Sequence, residues 1–153
     1  KEEHREYYEE YKNIYREEHK EEIKEQRKQY IEENPHIFLN SSNKYRLQKE
    51  NQGNGITKEQ WYEMMEFFDW KCAYSGISLT KNNRSVDHII PLNKNGEHEI
   101  WNCVPMYKNY NSGKRNNNME EWYKKQEYYS KERLQKIYEW CEYAFNKYNS
   151  LKR

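Results

Sequence analysis

The sequence is poor in aliphatic residues. Leu, Ile, Val and Phe together supply only 22 of 153 residues, a share that ordinarily marks a chain without a packed core. Cysteine is scarce too: Cys72, Cys103 and Cys141 are the three present. That odd count is too low for a disulfide scaffold and predicts free thiols in a reducing compartment. No apolar run approaches the roughly 18 residues that would span a bilayer. No charged-then-apolar leader opens the sequence, so the expectation is a cytoplasmic protein without membrane contact. Glycine and proline, five and three in number, leave long stretches without a breaker.

Two features oppose disorder. The net charge is only +1, and aromatics reach 16%, chiefly through 16 tyrosines. A disordered chain combines low hydrophobicity with high net charge and few aromatics. The composition therefore predicts a small aromatic core with very polar extensions. Charge is divided unevenly. Residues 1–33 hold 8 Lys/Arg and 12 Glu, whereas the remainder holds 19 Lys/Arg and 14 Asp/Glu. Between Cys103 and Asn118 stand Lys108, Lys114 and Arg115 with no carboxylate, a window that tolerates an anionic ligand.

Four segments are predicted. Residues 1–35 read as one long charged helix ended by Asn34-Pro35. Tyr8, Tyr11, Tyr15, Ile23, Tyr30 and Ile31 form a loose apolar stripe on it. Glu-to-Lys pairs three residues apart (Glu9–Lys12, Glu17–Lys20, Glu21–Lys24, Glu25–Lys28) support an exposed helix. Lys12, Arg16, Lys20, Lys24 and Lys28 follow one another at steps of four, a winding cationic ridge suited to a phosphate backbone. A solvated helix, a weak coiled coil or a surface that docks a partner protein would use the same residues. Residues 36–70 begin as a polar loop around Asn51-Gln52-Gly53-Asn54-Gly55. A capping box from Thr57 to Gln60 then starts a helix that buries Trp61, Met64, Met65 and Phe68.

Residues 71–117 are punctuated by glycine. Cys72 to Gly76 predicts a tight turn, Val86 to Leu92 a strand, Trp101 to Pro105 a second strand, and Tyr107 to about Arg115 a short helix. Residues 118–153 return to helix, capped at Asn118 and at Ser130. Leu134, Ile137, Tyr138, Cys141, Phe145 and Tyr148 would pack on one face, with Cys141 as a small hydrophobe.

The chemistry-bearing residues cluster in the third segment. Asp87-His88 closes an apolar strand. Neighbouring strand residues face opposite ways, so both can serve one site only where the strand ends or bends. Together they offer a hard oxygen ligand and a base that titrates near neutrality. Asn102 and Asn111 add neutral oxygens, and Lys114 adds a cation. A satisfied structural Asp-His pair would look the same.

The order of these residues narrows the reading. Cys72-Ala73-Tyr74-Ser75-Gly76, then Ser85 to Leu92, then Asn102, then Asn111-Ser112-Gly113-Lys114 resembles the HNH nuclease family. It is similar to the HNH domain of RNA-guided CRISPR effector nucleases and to small phage and mobile-element endonucleases, homing endonucleases among them. The likeness covers about a third of the chain. It implies an α+β protein, mostly helical, with a ββα-metal core at 71–117 flanked by the long N-terminal helix and the C-terminal helices.

The resemblance also implies roles. His88 would be the general base, Asn102 a catalytic-loop brace, and Asp87 and Asn111 ligands of one divalent cation, Mg²⁺ or Mn²⁺. Lys108, Lys114 and Arg115 would contact nucleic acid beside the site, with Arg16, Lys20, Lys24 and Lys28 contacting it from the N-terminal helix. The partner would be double-stranded DNA, and the setting a bacterial cell or a phage-infected host. A homodimer or a larger protein partner stays open, as does a DNA-binding or assembly module, or a subunit of a larger nucleic-acid-processing machine. Many relatives in this family carry a structural zinc on two Cys-x-x-Cys knuckles. Here the corresponding positions are Cys72, Ser75, Tyr107 and Tyr110, so no structural zinc is expected and aromatic packing should fill the place.

Overall fold

The computed structural model describes residues 12–37, 39–41 and 53–150. The chain divides into two compact units, residues 1–34 and 35–153.

In the first unit, residues 12–18 are helical and a turn at His19 precedes α1, Lys20–Glu33. Three of the expected pairs form on its surface: Lys20–Glu17 at 2.9 Å, Lys24–Glu21 at 3.2 Å and Lys28–Glu25 at 3.5 Å. The helix stops where Asn34 turns its backbone N–H and its side-chain amide onto the Tyr30 carbonyl, just before Pro35. The apolar stripe is not a buried seam. Tyr15, Ile23 and Tyr30 are exposed and no residue of α1 is buried. Tyr8, Tyr11 and Glu9 lie outside the described residues.

In the second unit, residues 35–37 and 39–41 are helical. Residues 53–57 lead into the next helix without regular structure, and Asn51 and Gln52 of the expected breaker lie outside the described residues. Helix α2, Lys58–Phe67, starts with both halves of the Thr57–Gln60 capping box. It buries Trp61, Met64 and Met65, with Phe68 just beyond its end. The two orphan N-terminal donors are thereby satisfied and the apolar face is aimed inward.

Strand β1, Arg84–His88, pairs antiparallel with β2, Cys103–Tyr107, in the register Asp87↔Val104 and His88↔Cys103. Helix α3, Lys108–Lys114, follows β2 directly and packs on both strands. The strands are offset from their predicted positions. β1 ends at His88 because Ile89 and Ile90 bend and Pro91 leads into a 3-10 turn, Leu92–Lys94. Trp101 belongs to a second 3-10 turn, Ile100–Asn102, and not to β2. Gly96 lies so close to the returning chain that a Cβ there would stand 1.9 Å from the Ile90 carbonyl oxygen, and only glycine fits.

Helix α4, Met119–Tyr123, is capped by Asn118, and α5, Lys131–Asn149, by Ser130. The buried face of α5 is Leu134, Ile137, Trp140 and Ala144. Tyr138 and Phe145, expected inside, are exposed. Trp140 takes the central place, fully buried, with its indole N–H donating to the Cys103 carbonyl at 2.9 Å. Glu63 on α2 receives Lys147 at 2.6 Å and the hydroxyls of Tyr143 and Tyr148, which clamps α5 across α2. The core joins these helices to Cys72, Ala73, Tyr74, Val104 and Met106. Aromatic rings supply the volume that the few aliphatics cannot.

Candidate active site

The end of β1 brings Asp87 and His88 to one polar cleft of about 250 Å³, lined also by Asn111, Arg115 and Asn116. Both residues line the cleft, with His88 the last residue of the strand and still paired with Cys103. Asn111 reaches the cleft from the second turn of α3.

Asp87 is 4% exposed, and each of its oxygens has one partner. Its Oδ1 lies 3.0 Å from the Lys114 ammonium, and its Oδ2 accepts the Tyr74 hydroxyl at 2.5 Å. Burial pushes the Asp87 carboxyl above the ordinary carboxylate range, and Lys114 and the Tyr74 hydroxyl pull it back. Burial, with Asp87 beside it, holds the Tyr74 hydroxyl protonated far past its usual range. Tyr74 is thus a permanent donor, which its place in the predicted turn did not disclose.

Lys114 requires a correction. Its side chain is 1% exposed, and its ammonium spans Asp87 and the His88 carbonyl, the latter at 2.8 Å. A cation buried and spent in this way cannot meet a phosphate, so Lys114 leaves the nucleic-acid-contacting set. It ties α3 to the end of β1. Lys108 and Arg115 are exposed. Arg115 adopts φ 46° and ψ −122° at the end of α3, a conformation that favours glycine and costs other residues about 1–3 kcal/mol.

Asn102 is 6% exposed. Its amide nitrogen donates to the carbonyls of Ile90 and Glu97 at 2.9 and 2.8 Å, and its Oδ1 accepts the Ile90 N–H at 2.8 Å. One side chain thereby fixes both arms of the loop that follows His88.

A second polar chain reaches His88 from the other side. Asn40 Nδ2 donates to the Ile56 carbonyl at 2.8 Å while its Oδ1 accepts the Ile56 N–H at 3.0 Å, which sets the amide orientation. That same Oδ1 lies 3.0 Å from His98 Nε2, and His98 Nδ1 lies 2.8 Å from His88 Nε2. An amide oxygen only accepts, so His98 carries its proton on Nε2. His98 is completely buried, and burial lowers its pKa to about 4, so the ring is neutral. Its Nδ1 is then an acceptor, and His88 donates from Nε2. In the neutral His88 ring the lone pair consequently resides on Nδ1. His98 and Asn40 carried no signal as a pair: they are 58 residues apart.

Among the described residues, one group of side chains has its ligating atoms gathered closely enough for a metal. Those of His88, His98 and Cys103 all lie within 4.8 Å of one another. Asp87 and Asn111 offer a different, all-oxygen donor set on the cleft. One carboxylate and one amide oxygen fit a hard divalent cation, which keeps several waters. Each Asp87 oxygen retains a second lone pair beside its present partner. At the knuckle positions, Tyr107 packs edge-on against Tyr110 at 5.2 Å, and Tyr110 stacks on Tyr128 at 4.5 Å. Cys72 is buried. In the first unit Lys20, Lys24 and Lys28 are exposed, each paired with a glutamate. No described helix is long and apolar enough to cross a membrane.

No protein-family model matches the chain. A curated protein of Bacillus subtilis (strain 168), named "SPbeta prophage-derived putative HNH endonuclease YoqL", is 34% identical over 106 residues, covering 63% of this chain and 46% of that protein. The chain therefore spans less than half the length of the curated relative it matches.

Proposed function

We propose that the chain is a metal-dependent HNH endonuclease of the phage or mobile-element kind, hydrolysing phosphodiester bonds of double-stranded DNA. The observation that carries this reading is the pair of constraints on His88. Asn102 braces the loop on its C-terminal side, and the Asn40–His98 chain holds its Nε2, so that a neutral ring presents its lone pair on Nδ1. A general base needs a held ring and an unprotonated nitrogen within reach of water. His88 lines a polar cleft where water can enter. The similarity to a prophage protein named as an HNH endonuclease supports the same class.

In this reading His88 Nδ1 takes the proton of a water as it attacks phosphorus, and His98 keeps the ring in the required tautomer. Asp87 and Asn111 would hold one divalent cation, Mg²⁺ or Mn²⁺. Bound there, the ion would supply Lewis acidity toward a phosphodiester oxygen and its leaving group. Tyr74 and Lys114 keep the Asp87 carboxylate oriented and its charge balanced. Lys108 and Arg115, exposed around α3, would attract the backbone, and Arg16, Lys20, Lys24 and Lys28 would add contacts from the N-terminal helix.

The test is supercoiled plasmid incubated with Mg²⁺, Mn²⁺ or EDTA, with wild type beside His88→Ala. Metal-dependent conversion to open-circular or linear DNA by wild type alone supports the reading. Equal cleavage by His88→Ala removes His88 as the base. Absence of cleavage with every metal, DNA binding being retained, turns the chain into a targeting module or one part of a larger machine.

A further inference from the structure

The contact between His88 and His98 sits beside a thiol. His88 and Cys103 are directly paired across the β1–β2 ladder, so their side chains share one face of the sheet. His98 and Cys103 are both completely buried, while His88 is partly exposed toward the cleft. The three ligating atoms form a triangle with no side longer than 4.8 Å. Two imidazole nitrogens and one sulfur are a borderline-soft donor set, suited to zinc and its d-block neighbours and unsuited to magnesium. The outer partner that such a site needs is already present. The His98 Nε2–H donates to Asn40 Oδ1, which aims the Nδ1 lone pair toward His88.

We propose that His88, His98 and Cys103 form a second metal site, selective for thiophilic divalent ions such as Zn²⁺, whose occupancy switches cleavage off. The inhibitory part rests on the function proposed above; the binding part does not. The ion takes the place of the proton shared by His88 Nε2 and His98 Nδ1. That proton moves to His88 Nδ1, the Cys103 thiol proton passes to solvent, and water completes the fourth position. Nothing is oxidised or reduced. The nitrogens stand 2.8 Å apart and must separate to about 3.3 Å for tetrahedral bonds of roughly 2.0–2.1 Å, a movement the partly exposed His88 ring can make by rotating. With a proton on Nδ1 and a metal on Nε2, His88 has no lone pair with which to accept a proton from water. The same two histidines thus serve two exclusive states, one bridged by a proton and one by a metal.

The experiment uses the full chain stripped of metal and titrated with Co²⁺ as a spectroscopic probe. The expected result is a thiolate-to-cobalt charge-transfer band with tetrahedral visible bands, saturating at one ion per chain, displaced by Zn²⁺ and indifferent to Mg²⁺. Cys103→Ala and the bulkier Cys103→Val should both lose the charge-transfer band while retaining Mg²⁺-supported cleavage. In both, the Zn²⁺ concentration that inhibits cleavage should rise by at least about tenfold. Absence of the band in wild type overturns the site. So does its persistence in both Cys103 variants, which would assign it to another thiol, or inhibition of the variants at the wild-type Zn²⁺ concentration. A chain that binds Co²⁺ as described and cleaves no DNA with any metal refutes the proposed function and leaves the site standing.

Discussion

The Lys114 ammonium lies 3.0 Å from Asp87 Oδ1 and 2.8 Å from the His88 carbonyl oxygen, so one buried cation joins the last turn of α3 to the last two residues of β1. Removing one member of a buried ion pair strands the other, at a cost of about 3–5 kcal/mol. Lys114→Met should therefore lower unfolding stability by about that amount in urea titrations. Asp87→Asn combined with Lys114→Met should recover part of the loss, because no charge is left stranded. A loss below about 1 kcal/mol in the single variant would mean that Lys114 is not committed to Asp87.

His98 gives stability a pH dependence. Its folded pKa, about 4, lies below the ordinary 6.5. The unfolded chain therefore takes up this proton first as the solution is acidified. The contribution is complete above about pH 6.5 and is lost as pH falls toward 4, on the order of 3 kcal/mol over the full window. In metal-free buffer, His98→Gln should flatten the stability profile between those values. An unchanged slope would show that His98 titrates normally in the fold.

Arg115 stands in a glycine-favouring conformation at the edge of the cleft. Arg115→Gly should raise thermal stability, by about 1 kcal/mol, and weaken DNA binding at the same time. Arg115→Lys should keep the charge and the strain together. Equal DNA affinity for all three would show that the cleft edge does not contact the backbone.

The cationic ridge on the N-terminal helix is tested by salt. Exposed pairs such as Lys20–Glu17 contribute little to stability, so Lys20, Lys24 and Lys28 can change partners cheaply. Replacing all three by Gln should leave the melting temperature nearly unchanged. The salt slope of DNA binding should fall by about 0.9 for each phosphate that the helix no longer neutralises. An unaltered slope would return the helix to a role with a protein partner.

The parts of the fold written in local patterns were legible. The Thr57 capping box, the Asn118 and Ser130 caps and the Trp61–Phe68 face depend on neighbours three and four residues away. Strand limits were less so, because Pro91 and the Asn102 loop, and not the apolar run itself, decide where β1 and β2 begin and end. On α5 the spacing pointed to a face with Tyr138 and Phe145, whereas contact with Phe67 and Cys103 turns Trp140 inward and leaves those two exposed. At the site, Asp87 and His88 announced themselves as a pair. Asn40, Tyr74 and His98 did not, since each acts through a partner at least ten residues away. Lys114 was misjudged for the same reason: a lysine in a carboxylate-free window looks solvated until its burial against Asp87 is seen.

The Tyr74 carbonyl accepts both the Tyr123 hydroxyl, at 2.5 Å, and Arg133 Nε, at 2.6 Å, while the Tyr74 hydroxyl holds Asp87. One tyrosine thus links α4 and α5 to the carboxylate at the cleft. The segment from 71 to 117 is consequently not a portable cassette. Transplanted into another scaffold without residues 118–150, it would arrive with its carboxylate unanchored, and any chimera built at that boundary should be repaired by carrying α4 and α5 across with it.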